Sequence, residues 1–134
     1  MTRLFIGLLS VFLISAPMDA LEGHDHAPGA VQAPHGGSML KAKTFYLEVV
    51  TKRGGLIKIY PLNLERKVIA LDKIRVTATT ILPRQKEKKP LPLQAKNDHF
   101  DGKPEIKDTH RYTLQVAVSY GDEHELLDFQ VEPQ

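Results

Sequence analysis

Between residues 45 and 131 the chain falls into short segments whose apolar side chains recur at every second position, and no stretch carries them at the spacing of a helix face. Successive strand residues point to opposite faces, so this alternation predicts one apolar and one polar face per segment. Phe45, Leu47 and Val49 alternate with Tyr46, Glu48 and Val50, the pattern of a half-buried strand. Arg53-Gly54-Gly55 supplies a turn and residues 56–60 a second strand, which together make a hairpin. Residues 61–64 break the run, and residues 67–70 read as a short third strand. Ile74, Val76, Ala78, Thr80 and Leu82 mark one face of a long strand. Residues 84–89 read as a charged loop, in which Lys86-Glu87-Lys88-Lys89 is a solvated run. Leu91, Leu93 and Ala95 follow as a strand interrupted by Pro92, which suits an edge. Phe100 belongs to another short extended piece. Tyr112, Leu114, Val116, Val118 and Tyr120 form the clearest strand, and a turn at Gly121-Asp122 leads into Leu127, Phe129 and Val131.

About seven or eight short strands at spacings of roughly 8–12 residues predict an all-β fold, an antiparallel immunoglobulin-like β-sandwich over residues 42–134. A small eight-stranded barrel is the alternative architecture. The chain has no Cys and no Trp, so any relation to immunoglobulin domains is one of architecture. The lack of Cys also excludes disulfides, thiolate zinc sites, iron–sulfur clusters and a cysteine nucleophile. Metal chemistry would have to use His, Asp, Glu or Met.

Residues 1–20 read as an address. Arg3 precedes an uncharged apolar run over residues 4–14, and small and turn-prone residues follow, the pattern of a secretory signal peptide with cleavage expected after Ala20. The run is shorter than the ~20 residues that span a bilayer, so no stable membrane insertion is expected after cleavage. No Cys follows it to carry a lipid. The expected location is periplasmic or secreted.

Residues 21–41 read as a flexible tail, rich in Gly and Pro at its centre and too poor in apolar surface to offset the entropy of ordering. The tail carries three of the chain's six His. His24 and His26 flank Asp25, and in an extended chain side chains two apart project to the same side. His35-Gly36-Gly37 follows, with glycines that let the backbone fold back. The candidate metal ligands are therefore His24, His26 and His35, with Asp25 as an oxygen ligand or outer partner. Imidazole suits copper, zinc, cobalt or nickel, so the residues name a divalent transition metal or copper without choosing one. Met39 is the lone nearby sulfur. A bland polar linker is the competing reading of the same residues.

Of the remaining His, His110 has the parity of Tyr112 and is expected to point inward, whereas His99 and His124 fall on the polar parity and are expected to be exposed. Eighteen Lys and Arg against 16 Asp and Glu leave a net charge of +2, which gives no concentrated basic surface for nucleic acid. The chain lacks a Gly-x-Ser-x-Gly elbow, a phosphate-cradling Gly-rich loop and a His-Glu-x-x-His pair, and no two carboxylates are paired by spacing. A non-enzymatic binding module is expected.

The order of elements adds a resemblance. An apolar leader, a His-x-His tail, His35-Gly36-Gly37, the strand Phe45-Tyr46-Leu47-Glu48-Val49-Val50 and the hairpin arm Gly54-Gly55-Leu56-Ile57-Lys58-Ile59-Tyr60 resemble a known extracytoplasmic module. It is similar to the small β-sandwich that precedes the main body of periplasmic adaptor proteins of cobalt–zinc–cadmium-type efflux pumps. The likeness covers residues 35–60, and the later strands match in pattern only. It implies an immunoglobulin-like fold and a role near transition-metal export, with His35 the residue carried across by motif. The adaptors' long helical hairpin and lipoyl-like segments have no counterpart here, which implies a free-standing chaperone, buffer or partner of a pump component. Two functions are thus expected to compete. One is an exported accessory protein that binds a metal ion, weakening as imidazoles protonate near a pH of ~6.5. The other is an interaction module for another envelope protein, with the tail as spacer.

Overall fold

A computed structural model of the chain describes residues 32–84, 87–107 and 109–134. The expected signal peptide and His24, Asp25 and His26 lie outside these residues. Nine strands make up the described chain: β1 (Ser38–Lys41), β2 (Tyr46–Thr51), β3 (Ile57–Leu62), β4 (Ile74–Ile81), β5 (Lys88–Leu91), β6 (Gln94–Ala95), β7 (Phe100–Gly102), β8 (Tyr112–Tyr120) and β9 (Glu123–Val131). They pair antiparallel into a five-stranded sheet ordered β1-β2-β3-β7-β6 and a four-stranded sheet ordered β5-β4-β8-β9. The two inner faces share one apolar core, to which Leu47, Ile57 and Ile59 come from the first sheet and Val76, Leu114, Val116 and Phe129 from the second. Two antiparallel sheets over one core form the β-sandwich that the alternation predicts. No helix among the described residues is long and apolar enough to cross a membrane.

The alternation of β4 and β8 translates directly into burial. Their odd and even residues divide into buried and more accessible sets along each strand. Elsewhere three local expectations change. Residues 67–70 make only a single bridge, Leu62 to Val68, instead of a strand. The Asn63 side chain accounts for this: its Oδ1 accepts from the amides of Glu65 at 3.0 Å and Lys67 at 2.9 Å, folding the chain into a tight turn with Arg66 at φ +64°. Lys88 and Lys89 belong to strand β5 while remaining exposed. The strand expected through Leu91, Leu93 and Ala95 is two strands in different sheets, with the chain crossing between them at Pro92-Leu93. Proline has no amide hydrogen to donate to a ladder, so the crossing falls where the ladder must break anyway.

The boundary of the domain also differs. The segment expected to be tail up to Lys41 contributes β1, which pairs with β2 through Ser38–Val49, Met39–Glu48, Leu40–Leu47 and Lys41–Tyr46. The compact unit takes in the described residues ahead of β1, from residue 32 onward.

Candidate functional site: a histidine clasp on a buried carboxylate

Strand β2 is buried on both faces, although its sequence alternates like a half-exposed strand. Tyr46, Glu48 and Val50 point away from the main core, yet Tyr46 and Val50 are buried and Glu48 is 0% exposed. With Tyr60 and Leu62 of β3, and Met39 packed alongside, Tyr46 and Val50 form a second small apolar cluster on the outer face of the first sheet. A fully buried carboxylate in such a setting requires donors, because an unpaired buried charge is strongly destabilising.

The donors come from His35-Gly36-Gly37. The His35 amide donates to Glu48 Oε1 at 2.8 Å, and the Gly37 amide donates to the same oxygen at 3.0 Å. The other oxygen, Oε2, lies 2.7 Å from His35 Nδ1. Each glycine has a separate reason to be there. Gly36 sits at φ +74°, a left-handed conformation in a turn closed by its own amide on the Ala33 carbonyl at 3.2 Å. Gly37 is needed for closeness: a Cβ there would stand 2.3 Å from the Val49 carbonyl oxygen and 2.8 Å from Val50 Cγ2. The two glycines therefore let the backbone fold back, as expected, and what they bring His35 to among the described residues is Glu48.

The His35 ring lies flat on Tyr60, with centroids 3.7 Å apart and planes within 10°. Glu48 and Tyr60 face each other in the β2–β3 ladder, and the β3–β7 ladder, continued one step beyond Ile59–Phe100, brings His99 alongside Tyr60. The two rings are 5.0 Å apart with a 38° tilt. The Lys96 amide on the His99 carbonyl at 2.8 Å holds this end of β7 against the chain leaving β6. Burial, aided by the negative charges of Asp98, Glu48 and Asp101, pushes the Tyr60 hydroxyl above its ordinary pKa.

His99 is committed on both sides. Its Nδ1 lies 2.6 Å from Asp98 Oδ1, and this hydrogen bond holds the Asp98 carboxyl below its ordinary range. Its Nε2 lies 2.8 Å from Asp101 Oδ1. That approach lacks hydrogen-bond alignment, for the same oxygen is buried and has no hydrogen-bond partner among the described residues. The His99 side chain is only 12% exposed, where the alternation predicts an open position. Packing against Tyr60 and the two carboxylates closes it. His110 departs in the other direction: expected inward, it is exposed, because β8 begins at Tyr112 and His110 lies ahead of the ladder. His124 is exposed as expected, with Nδ1 2.9 Å from Ser119 Oγ.

In chemical terms His35 is the open member of this cluster. Glu48 engages Nδ1, which in the neutral ring places the proton there and leaves Nε2 with a lone pair and no hydrogen bond among the described residues. A carboxylate on one imidazole nitrogen is also how metal-binding histidines are oriented and made more basic. Among the described residues no group of three or more His, Asp or Glu is placed to hold a metal ion. Of the candidate ligands, only His35 can be located, its side chain 32% exposed. The sequence signal that could have found Glu48 is its position as the single acid within an otherwise apolar strand, flanked by Leu47 and Val49. No protein family matches this chain, and no characterised protein or solved structure matches it.

Proposed function

We propose that the protein is an exported accessory protein that binds a transition-metal ion, with copper, zinc, cobalt and nickel as the candidate ions. His35 would supply one nitrogen ligand through Nε2, and His24, His26 and Asp25, upstream in the chain, would supply others. The observation that carries this reading is the Glu48 carboxylate on His35 Nδ1. It fixes the tautomer and orientation that coordination through Nε2 requires. The ring stacked on Tyr60 adds a second restraint on that orientation. A single well-oriented imidazole binds metal weakly, so the tail histidines are needed to complete a useful site. Proximity to metal efflux and partnership with a pump component follow from the resemblance of residues 35–60 and belong to the same proposal.

Calorimetric titration with zinc and with copper(II) tests it, using the protein as recovered from the cell and a variant carrying His24→Ala, His26→Ala and His35→Ala. Binding that disappears in the triple variant is the expected result. Equal binding in both proteins, or none in either, rejects the assignment. Within it, Glu48→Gln should weaken binding by roughly 10-fold or more, the usual cost of losing an outer-shell carboxylate.

A further inference from the structure

The two sheets have four edges, and three of them are poor templates for another strand. β1 has four residues, β6 has two, and β5 has four that include Lys88, Lys89 and Pro90. Short length, lysine and proline are the ordinary devices that keep sheet edges from pairing with other chains. The fourth edge lacks those three and instead carries charge, with Glu123 and Glu125 on the parity of the buried Phe129 and Val131, so a strand that pairs there must match its acids. β9 runs for nine residues, Glu123–Val131, contains neither Lys nor Pro, and among the described residues pairs only with β8.

The side chains of β9 have a self-complementary order. On its outer face stand His124, Leu126 and Asp128, all exposed, and Leu126 at 60% is the most exposed large apolar side chain described. His124 uses Nδ1 toward Ser119 and leaves Nε2 open. Asp128 accepts from Gln115 Nε2 through Oδ1 at 3.0 Å and leaves Oδ2 open. Acid and imidazole are thus placed symmetrically about one leucine.

We propose that β9 is a homodimerisation edge, in which two copies of this chain pair antiparallel across a two-fold axis at Leu126. In that register Leu126 meets the partner's Leu126, and His124 faces the partner's Asp128 on both sides of the axis. The polar partners already held by Ser119 and Gln115 are then matched across the new ladder, and the two four-stranded sheets become one continuous sheet. On the inner side, Glu125 faces the partner's Leu127, and the two copies of Glu125 approach diagonally as the one like-charge contact. A register one step along, centred on Leu127, would set Leu126 against the partner's Asp128 and remove the imidazole–carboxylate pairing. Pairing through one strand buries less than the ~1,200 Å² of a standard stable interface, so the dimer is weak and depends on concentration. This inference stands apart from the metal-binding proposal and uses none of its residues.

Sedimentation of the protein as recovered from the cell should show a monomer that shifts to a dimer as concentration rises. H124D alone and D128H alone should abolish the shift, and the two together should restore it. Because the natural chain has no Cys, single-cysteine variants report the register directly. Directly opposed antiparallel residues have Cα atoms about 4.5–5.5 Å apart, within disulfide reach. L126C should cross-link to itself under mild oxidation, and H124C mixed with D128C should cross-link where neither does alone. A monomer at every concentration overturns the proposal. So do self-linking of Leu127→Cys in preference to L126C, and failure of the exchanged acid–imidazole pair to restore the dimer. All the substituted outer-face side chains are exposed, and circular dichroism of each variant confirms that the fold is retained.

Discussion

The outer faces of the two sheets carry the same strand alternation and end in opposite environments. On the four-stranded sheet the outward residues of β4, β8 and β9 face solvent and are joined by side-chain pairs such as Gln130 to Thr113 at 3.0 Å and Gln115 to Asp128 at 3.0 Å. On the five-stranded sheet the outward residues include Tyr46, Val50, Tyr60 and Leu62, all buried, and the buried Glu48. Met39 packs against this outer cluster, and one short segment upstream of it adds further cover. His35-Gly36-Gly37 folds onto the first sheet, bonds to Glu48 and covers Tyr60, and nothing comparable covers the second among the described residues. Alternation therefore separates the two faces of a strand without saying whether the outward one meets water.

That contrast can be tested by substitution on each face. The largest effect is expected at Glu48. Replacing it with Ala removes the acceptor for two backbone amides and the His35 ring, and hydrogen bonds to a charged group contribute about 1.5–3 kcal/mol each. The losses share one group and do not add, so about 3 kcal/mol is expected for Glu48→Ala. That corresponds to a fall in Tm of roughly 10 °C or more for a domain of this size. A thermal melt showing a change below ~1 kcal/mol would mean that the clasp does not hold the first sheet's outer face. Next comes Gly37→Ala, whose added carbon would press on the Val49 carbonyl. A loss of about 2 kcal/mol is expected, typical of forced overpacking. Gly121→Ala, at φ +58° with open space around it, should lose only about 1 kcal/mol. Equal losses at the two glycines would refute the close-approach explanation.

An intermediate effect is expected at the link between the sheets. Glu123 accepts from the Lys43 amide at 2.7 Å, from the Thr44 amide at 3.1 Å and from the Thr44 hydroxyl. Desolvation pushes its pKa up, but the bonds from Thr44 and Lys43, with the Lys43 charge, prevail and leave it lowered. A carboxyl with a lowered folded pKa contributes stability above the unfolded value of ~4.3, and this is lost as pH falls through the folded value. Tm should therefore drop more steeply below a pH of ~4.3 in the natural protein than in Glu123→Gln. Parallel acid limbs would remove Glu123 from the account. The smallest effect belongs to the open face. Thr77→Ser, at an exposed position of β4, should change stability by less than ~0.5 kcal/mol.

How much of this was legible residue by residue follows the range of the interactions. The inward sets of β4 and β8 were readable because burial in a sandwich repeats with the two-residue period of the strand. Residues 67–70 read as a strand yet make only a bridge at Val68, because that outcome depends on where the Asn63 side chain bonds. His110 and His99 depart from their parity for a related reason: parity assigns a face only within a ladder, and it does not report what packs over that face. The candidate site was legible as His35 with two glycines but not as a contact with Glu48, which lies 13 residues away and joins it only when β1 and β2 form.

By itself the amino-acid sequence determined the class of fold, the inward faces of the long strands, the Gly54-Gly55 hairpin turn and the prominence of His35. These are decided by local periodicity and by glycine's access to positive φ. Tertiary structure decided which outer face is covered, where β5 and β6 part into different sheets, and that the nitrogen of His35 facing the domain is taken by Glu48. Each of those outcomes depends on a buried carboxylate or a broken ladder finding its partner across the fold, and the cost of leaving such a group unpaired has no local signature in the chain.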